Sequence, residues 1–116
     1  MKIRIKGNSL RYRLTKSEVA ALGMVGFLSE RTHFASQALE YAIMTTSEGQ
    51  LTADFSENRI VLNMPEKMIE ELVNTDKVGF SDVSGPVSLL IEKDFTCLDN
   101  VEEDQSDNFP NPNINC

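Results

Sequence analysis

The stretch Lys2–Glu18, KIRIKGNSLRYRLTKSE, decides how the rest of the chain is read. KIRIK and LRYRL each alternate apolar and basic side chains, the period of a strand with one face on a core and one in water. Gly7, Asn8 and Ser9 between them suit a tight turn, so the two runs read as a β-hairpin. Thr15 and Glu18 then have the spacing of a capping box, in which hydroxyl and carboxylate satisfy the free amide donors of a helix start. The helix is expected to run to about Met24 and to leave through Gly26, a residue suited to the left-handed exit.

The same plan recurs at an offset of 50 residues. Ile3 and Ile5 align with Ala53 and Phe55, and Asn8 with Asn58 in each turn. Leu10, Tyr12 and Leu14 match Ile60, Leu62 and Met64, and Val19 and Leu22 match Ile69 and Leu72. Further on, Leu28 is matched with Val78, Leu39 with Leu89, and Tyr41 with Ile91. Residue identity is low; what agrees is apolar character and turn position. FLSERTHF and LEYAIMTT form the second hairpin of the first half, and VGF and VSLLIEKDF its counterpart, hinged at Ser84-Gly85-Pro86. Pro65 suits a first helical position. Met68, Ile69, Leu72 and Val73 make an apolar helical stripe, read as core.

The fold expected is therefore α+β: two similar β-β-α-β-β halves, residues 1–50 and 51–96, forming a mostly antiparallel, curled sheet or barrel with two helices. Barrel closure would remove the exposed edges of eight short strands. Residues 97–116 form an acidic tail, containing cysteine and proline, expected to pack on the body 1–96. At 116 residues the chain is long enough for one core.

Of the net charge of −7, five charges belong to that tail. Asp99, Glu102, Glu103, Asp104 and Asp107 stand there without a lysine or arginine, and the remainder carries 13 acids against 11 bases. Non-specific nucleic-acid binding by the whole protein is not expected from this balance. The first residues lack the unbroken apolar run of a secretory signal, and no stretch approaches the roughly 18 apolar residues of a membrane span. A cytoplasmic placement is expected, with both thiols reduced.

Three features carry chemistry. The first hairpin gathers Lys2, Arg4, Lys6, Arg11 and Arg13, which alternation puts on one face, either as an anion site or as a solvated surface that blocks edge pairing. The acidic tail could also lie against it. The second half lacks the stripe, so the fold does not need it. His33, the only histidine, points to solvent if Phe34 faces the core. In the tail, Cys97 follows a strand directly, Pro110 and Pro112 restrict the chain, and Phe109 supplies an apolar anchor. Thiolate and carboxylate groups converging there suit zinc or another divalent metal. The candidate ligands are Cys97, Asp99, Asp104 and Asp107, with Cys116 and His33 as outer members. A nucleophile elbow, a phosphate loop and a calcium loop are absent from the sequence.

The opening MKIRIKGNSLRYRLTKSEV, the segments LTADF and VGF, and the closing IEKDFTCLDNVEEDQSDNFPNPN resemble a family of small uncharacterised bacterial proteins. Members end in a Lys-Asp-Phe-x-Cys-Leu stretch, then acids, then Phe-Pro-x-Pro. The resemblance implies that the tail is part of the domain and places Cys97, Asp104 and Asp107 inside the signature. It implies no activity, substrate or cofactor. Two functions follow as expectations. One is a non-enzymatic domain binding a divalent metal through its tail. The other is an interaction module offering the basic hairpin or the acidic tail to a protein partner, with pseudo-symmetric surfaces of the kind that build a homodimer. Catalysis has the least support, because no nucleophile or pocket can be named.

Overall fold

The computed structural model describes residues 1–95 and 106–110. The first half runs β1 (Lys2–Lys6), β2 (Ser9–Leu14), α1 (Lys16–Val25), β3 (Phe27–His33) and β4 (Ala38–Thr46). The second runs β5 (Thr52–Ser56), β6 (Arg59–Pro65), α2 (Glu66–Asn74), β7 (Gly79–Ser84) and β8 (Val87–Lys93). The fold is α+β, in two similar halves, as the alternation and capping signals lead one to expect. Neither a single curled sheet nor a closed barrel forms: the strands make two four-stranded sheets, ordered β1-β2-β8-β7 and β3-β4-β6-β5.

Each half gives one hairpin to each sheet. All four hairpins are antiparallel, and each sheet is sealed at its centre by a parallel contact between halves, β2 with β8 and β4 with β6. The helix is what carries the chain from one sheet to the other. Inner residues of both sheets, among them Tyr12, Leu14, Ile91, Ile43, Leu62 and Met64, share one core with Val19, Leu22, Ile69 and Leu72 of the helices. Of the stripe on α2, Ile69 and Leu72 are buried, whereas Val73 is 42% exposed. Pro65 is the last residue of the β6 ladder, opposite Thr46, and not the first of the helix. Its ring fixes φ at −56° while ψ of 139° keeps the backbone extended, so α2 begins at Glu66.

The two halves are related by 50 positions only as far as the helices. The ladders pair Tyr12 with Ile91 and Leu62 with Ile43, so β4 and β8 correspond at an offset of 48. Leu28 faces Ile43 and Phe80 faces Ile91, so β3 and β7 correspond at 52. Leu28 thus corresponds to Phe80 instead of Val78, and Tyr41 to Leu89 instead of Ile91. Two length differences cause this: Leu72 to Gly79 spans two more positions than Leu22 to Phe27, and the loop after β3 holds six residues between the paired Thr32 and Leu39 where only Gly85 and Pro86 lie between the paired Ser84 and Val87. Phe34 lies in that loop and is 61% exposed, so it does not face the core.

The corrected offsets reveal matching corners. The Met1 ammonium bonds the Glu30 carboxylate at 2.7 Å, and the Leu51 amide donates to the Asp82 carboxylate at 3.2 Å. Met1 and Leu51 are 50 apart and Glu30 and Asp82 are 52 apart, so the two contacts are one contact repeated. At Gly79 a Cβ would stand 2.3 Å from the Ile91 carbonyl oxygen, so the start of β7 can approach β8 only without a side chain.

Candidate functional site

The outer face of the β1-β2-β8-β7 sheet carries the basic stripe. Strand period puts Ile3, Leu10, Tyr12 and Leu14 toward the core and leaves Lys2, Arg4, Arg11 and Arg13 on the other side. Register then sets like charges against one another, Lys2 opposite Arg13 and Arg4 opposite Arg11. Directly opposed like charges destabilise a sheet, typically by some tenths of a kcal/mol to about 1 kcal/mol. These four side chains line a hollow of about 320 Å³.

The next strand supplies partial compensation. Glu92 of β8 accepts from Arg13 at 2.9 Å and stands 3.7 Å from Arg11, so one carboxylate is shared between two guanidiniums. Lys2 pairs with the buried carboxylate of Asp94 at 3.0 Å. Arg4 has no ion-pair partner among the described residues. The role of Glu92 was not read from the sequence, because it depends on β8 lying parallel beside β2. The opposite sheet repeats the motif more sparingly: Glu40 sits 3.6 Å from Arg31 and 3.4 Å from Arg59, one carboxylate between two guanidiniums, without further cations in line.

The metal candidates are placed less completely. Cys97, Asp99, Asp104 and Cys116 lie outside the described residues. Asp107 is engaged at the start of α1: its carboxylate accepts from the Ser17 hydroxyl at 2.6 Å and from the Ser17 amide at 3.3 Å, and its carbonyl from the Lys16 amide at 3.0 Å. The Ser17 hydroxyl, then that of Thr15, hold the Asp107 carboxyl below the usual carboxylate range. His33 ends β3, opposite Ala38, exposed. Seven residues of strand carry it roughly 20 Å from the α1–β3 junction. Among the described residues, no three histidine, cysteine or acidic side chains come together as a metal site.

Asp107 belongs to a segment that returns to the body. The Phe109 amide donates to the Asp94 carbonyl at 2.9 Å, and Phe109 forms a parallel bridge with Phe95. Their rings lie 5.9 Å apart, and the Lys93 ammonium stands 4.9 Å from the Phe109 ring centroid. Asp94 therefore touches both the basic face and the returning segment, through its side chain and its carbonyl.

The match to known families spans these parts together: residues 1–113 fit DUF7009, a family of unknown function. The chain belongs to that family. Membership in DUF7009 agrees with the resemblance carried by the opening strands and the closing Lys-Asp-Phe stretch. The match includes the basic hairpin, the returning segment and Cys97, and stops before Cys116, the last residue. No curated protein and no solved structure matches the chain. Among the described residues of this DUF7009 chain, no helix is long and apolar enough to cross a membrane.

One other concavity stands out. At the turn end of the sheets, away from the helices, a cleft of about 470 Å³ is walled by apolar side chains. Its lining repeats the internal symmetry: Ile5 with Phe55, Leu10 with Ile60, Leu39 with Val87. Ile5 and Phe55 are 56% and 69% exposed. The cleft thus lies between equivalent parts of the two halves.

Proposed function

We propose that this protein is a non-catalytic interaction module that docks an acidic segment of a protein partner on the outer face of β1 and β2. The observation that supports it is the register of the first hairpin, which sets Arg4 against Arg11 and Lys2 against Arg13 around one hollow. Edge protection explains cations on β1, the outermost strand. It does not explain Arg11 and Arg13, because β2 lies inside the sheet between β1 and β8. Their repulsion is a cost to the free protein that an anionic partner removes. Arginine suits the task, since its planar fork meets a carboxylate with two parallel bonds.

The test is fluorescence anisotropy with a labelled poly-glutamate peptide and a poly-lysine peptide of equal length. The acidic peptide is expected to bind and to be released as salt shortens the Debye length below about 8 Å. Exchanging Arg11 and Arg13 for glutamine together should weaken it about tenfold or more. Equal binding of both peptides, or of neither, sinks the reading.

A divalent metal held by Cys97, Asp99 and Asp104 is the second reading, with Asp107, Cys116 or His33 completing the set. What favours it is the anchoring of Phe95 to Phe109, which ties down both flanks of the acidic stretch. Metal analysis of protein purified without chelator checks it; a stoichiometry near zero removes it.

A further inference from the structure

We infer that the anionic group taken by the hollow between β1 and β2 is a phosphomonoester on a partner's side chain, seated between Arg4 and Arg11. The inference rests on the docking face proposed above and names its ligand. The argument is charge balance at a fixed place. Lys2 can be set aside, since it is already bonded to Asp94 at 3.0 Å. Of Arg4, Arg11 and Arg13, the last two share one carboxylate, Glu92, and among the described residues the three cations are left with a surplus of two positive charges. A single carboxylate partner removes one of these. A phosphomonoester carries about −1.5 to −2 at pH 7 and offers three acceptor oxygens, so it matches the surplus in one group.

Geometry points the same way. Glu92 lies on the β8 side and holds Arg13 closely, at 2.9 Å, but Arg11 only at 3.7 Å. Arg4 stands directly across from Arg11 on the exposed strand, with no ion-pair partner among the described residues. Two guanidiniums facing each other across adjacent strands, one unpaired and one loosely paired, can close on a tetrahedral anion from two sides. The hollow of about 320 Å³ is large enough for a phosphorylated side chain but shallow enough to leave the rest of a peptide on the sheet surface. The opposite sheet offers no such place, because Glu40 stands between Arg31 and Arg59 and leaves a surplus of only one.

The experiment compares three labelled peptides of one acidic sequence, differing at a central position: phosphoserine, glutamate or serine. Each is titrated into the full chain, with free phosphoserine as competitor. The expected result is phosphoserine tighter than glutamate by about tenfold, and glutamate close to serine. Arg4→Gln and Arg11→Gln should each erase the phosphoserine advantage, while Lys67→Gln on α2 leaves it intact. Arg4 is exposed, so its exchange leaves the core untouched, and a thermal melt confirms the fold. Phosphoserine and glutamate peptides binding equally would overturn this inference and leave the acidic-partner reading standing. No binding by any peptide would overturn both. Competition by free phosphoserine at the peptide's own affinity would overturn the protein partner and assign the hollow to a small phosphorylated metabolite.

Discussion

Tyr12 shows how much one side chain can differ between equivalent positions. Its counterpart is Leu62, and both are fully buried in the shared core. The tyrosine brings a hydroxyl that has no hydrogen-bond partner among the described residues. Burial pushes its ionisation well above the ordinary phenol range, so the group stays neutral at any physiological pH. An unsatisfied buried hydroxyl costs about 1–3 kcal/mol. Tyr12→Phe is therefore expected to raise the unfolding free energy by about 1 kcal/mol, read from urea denaturation. A comparable loss instead would mean that the hydroxyl has a partner, for which a buried water is the usual candidate.

At the scale of the element, the start of α1 is the best-supported local feature. The Thr15 amide donates to the Glu18 carboxylate at 2.9 Å, completing the box that the spacing in TKSE announces. Asp107, ninety residues along the chain, adds a second cap through Ser17 and Lys16. The helix N-terminus carries partial positive charge, so a carboxylate is favoured there. Because Thr15 and Asp107 also contact each other, their contributions are coupled. Thr15→Ala should cost about 1 kcal/mol, and the double variant with Asp107→Asn should lose other than the sum of the two singles.

The pH response of that cap has a definite sign. The folded pKa of Asp107 lies below its ordinary value of 3.8. Its stabilisation is complete above the unfolded value and disappears as pH falls through the folded one. Melting temperatures followed downward in acid should show the wild type losing its advantage over Asp107→Asn within that window. An advantage that persists at the lowest pH would show that charge is not what the cap supplies.

For the whole molecule, the decisive fact is that neither half completes a sheet. Residues 1–50 contain β1 to β4, but the partners of β2 and β4 are β8 and β6. The isolated half leaves two ladders open and the core faces of both hairpins in water, and two-stranded hairpins are at best marginally stable alone. A fragment of residues 1–50 is expected to be unfolded by far-ultraviolet circular dichroism, or to self-associate. Mixing it with residues 51–116 should restore the native spectrum. A folded, monomeric 1–50 would show that the hairpins do not need each other's sheets.

Strands, turns and the start of α1 were legible in the sequence because their causes are local. Alternation of Ile3, Leu10, Tyr12 and Leu14 with the basic residues fixes which face is buried, and Thr15 with Glu18 fixes where the helix begins. The basic stripe was legible for the same reason. What a strand does beyond its own hairpin was not: parallel contact of β2 with β8 joins residues nearly eighty apart and leaves no local mark. That contact brought Glu92 to Arg13 and, together with the contact of β4 and β6, divided eight strands into two sheets. Local periodicity determines the pieces of this protein. Only the burial of both hairpin faces in one core decided how they pair and where the surplus charge on Arg4 and Arg11 stands.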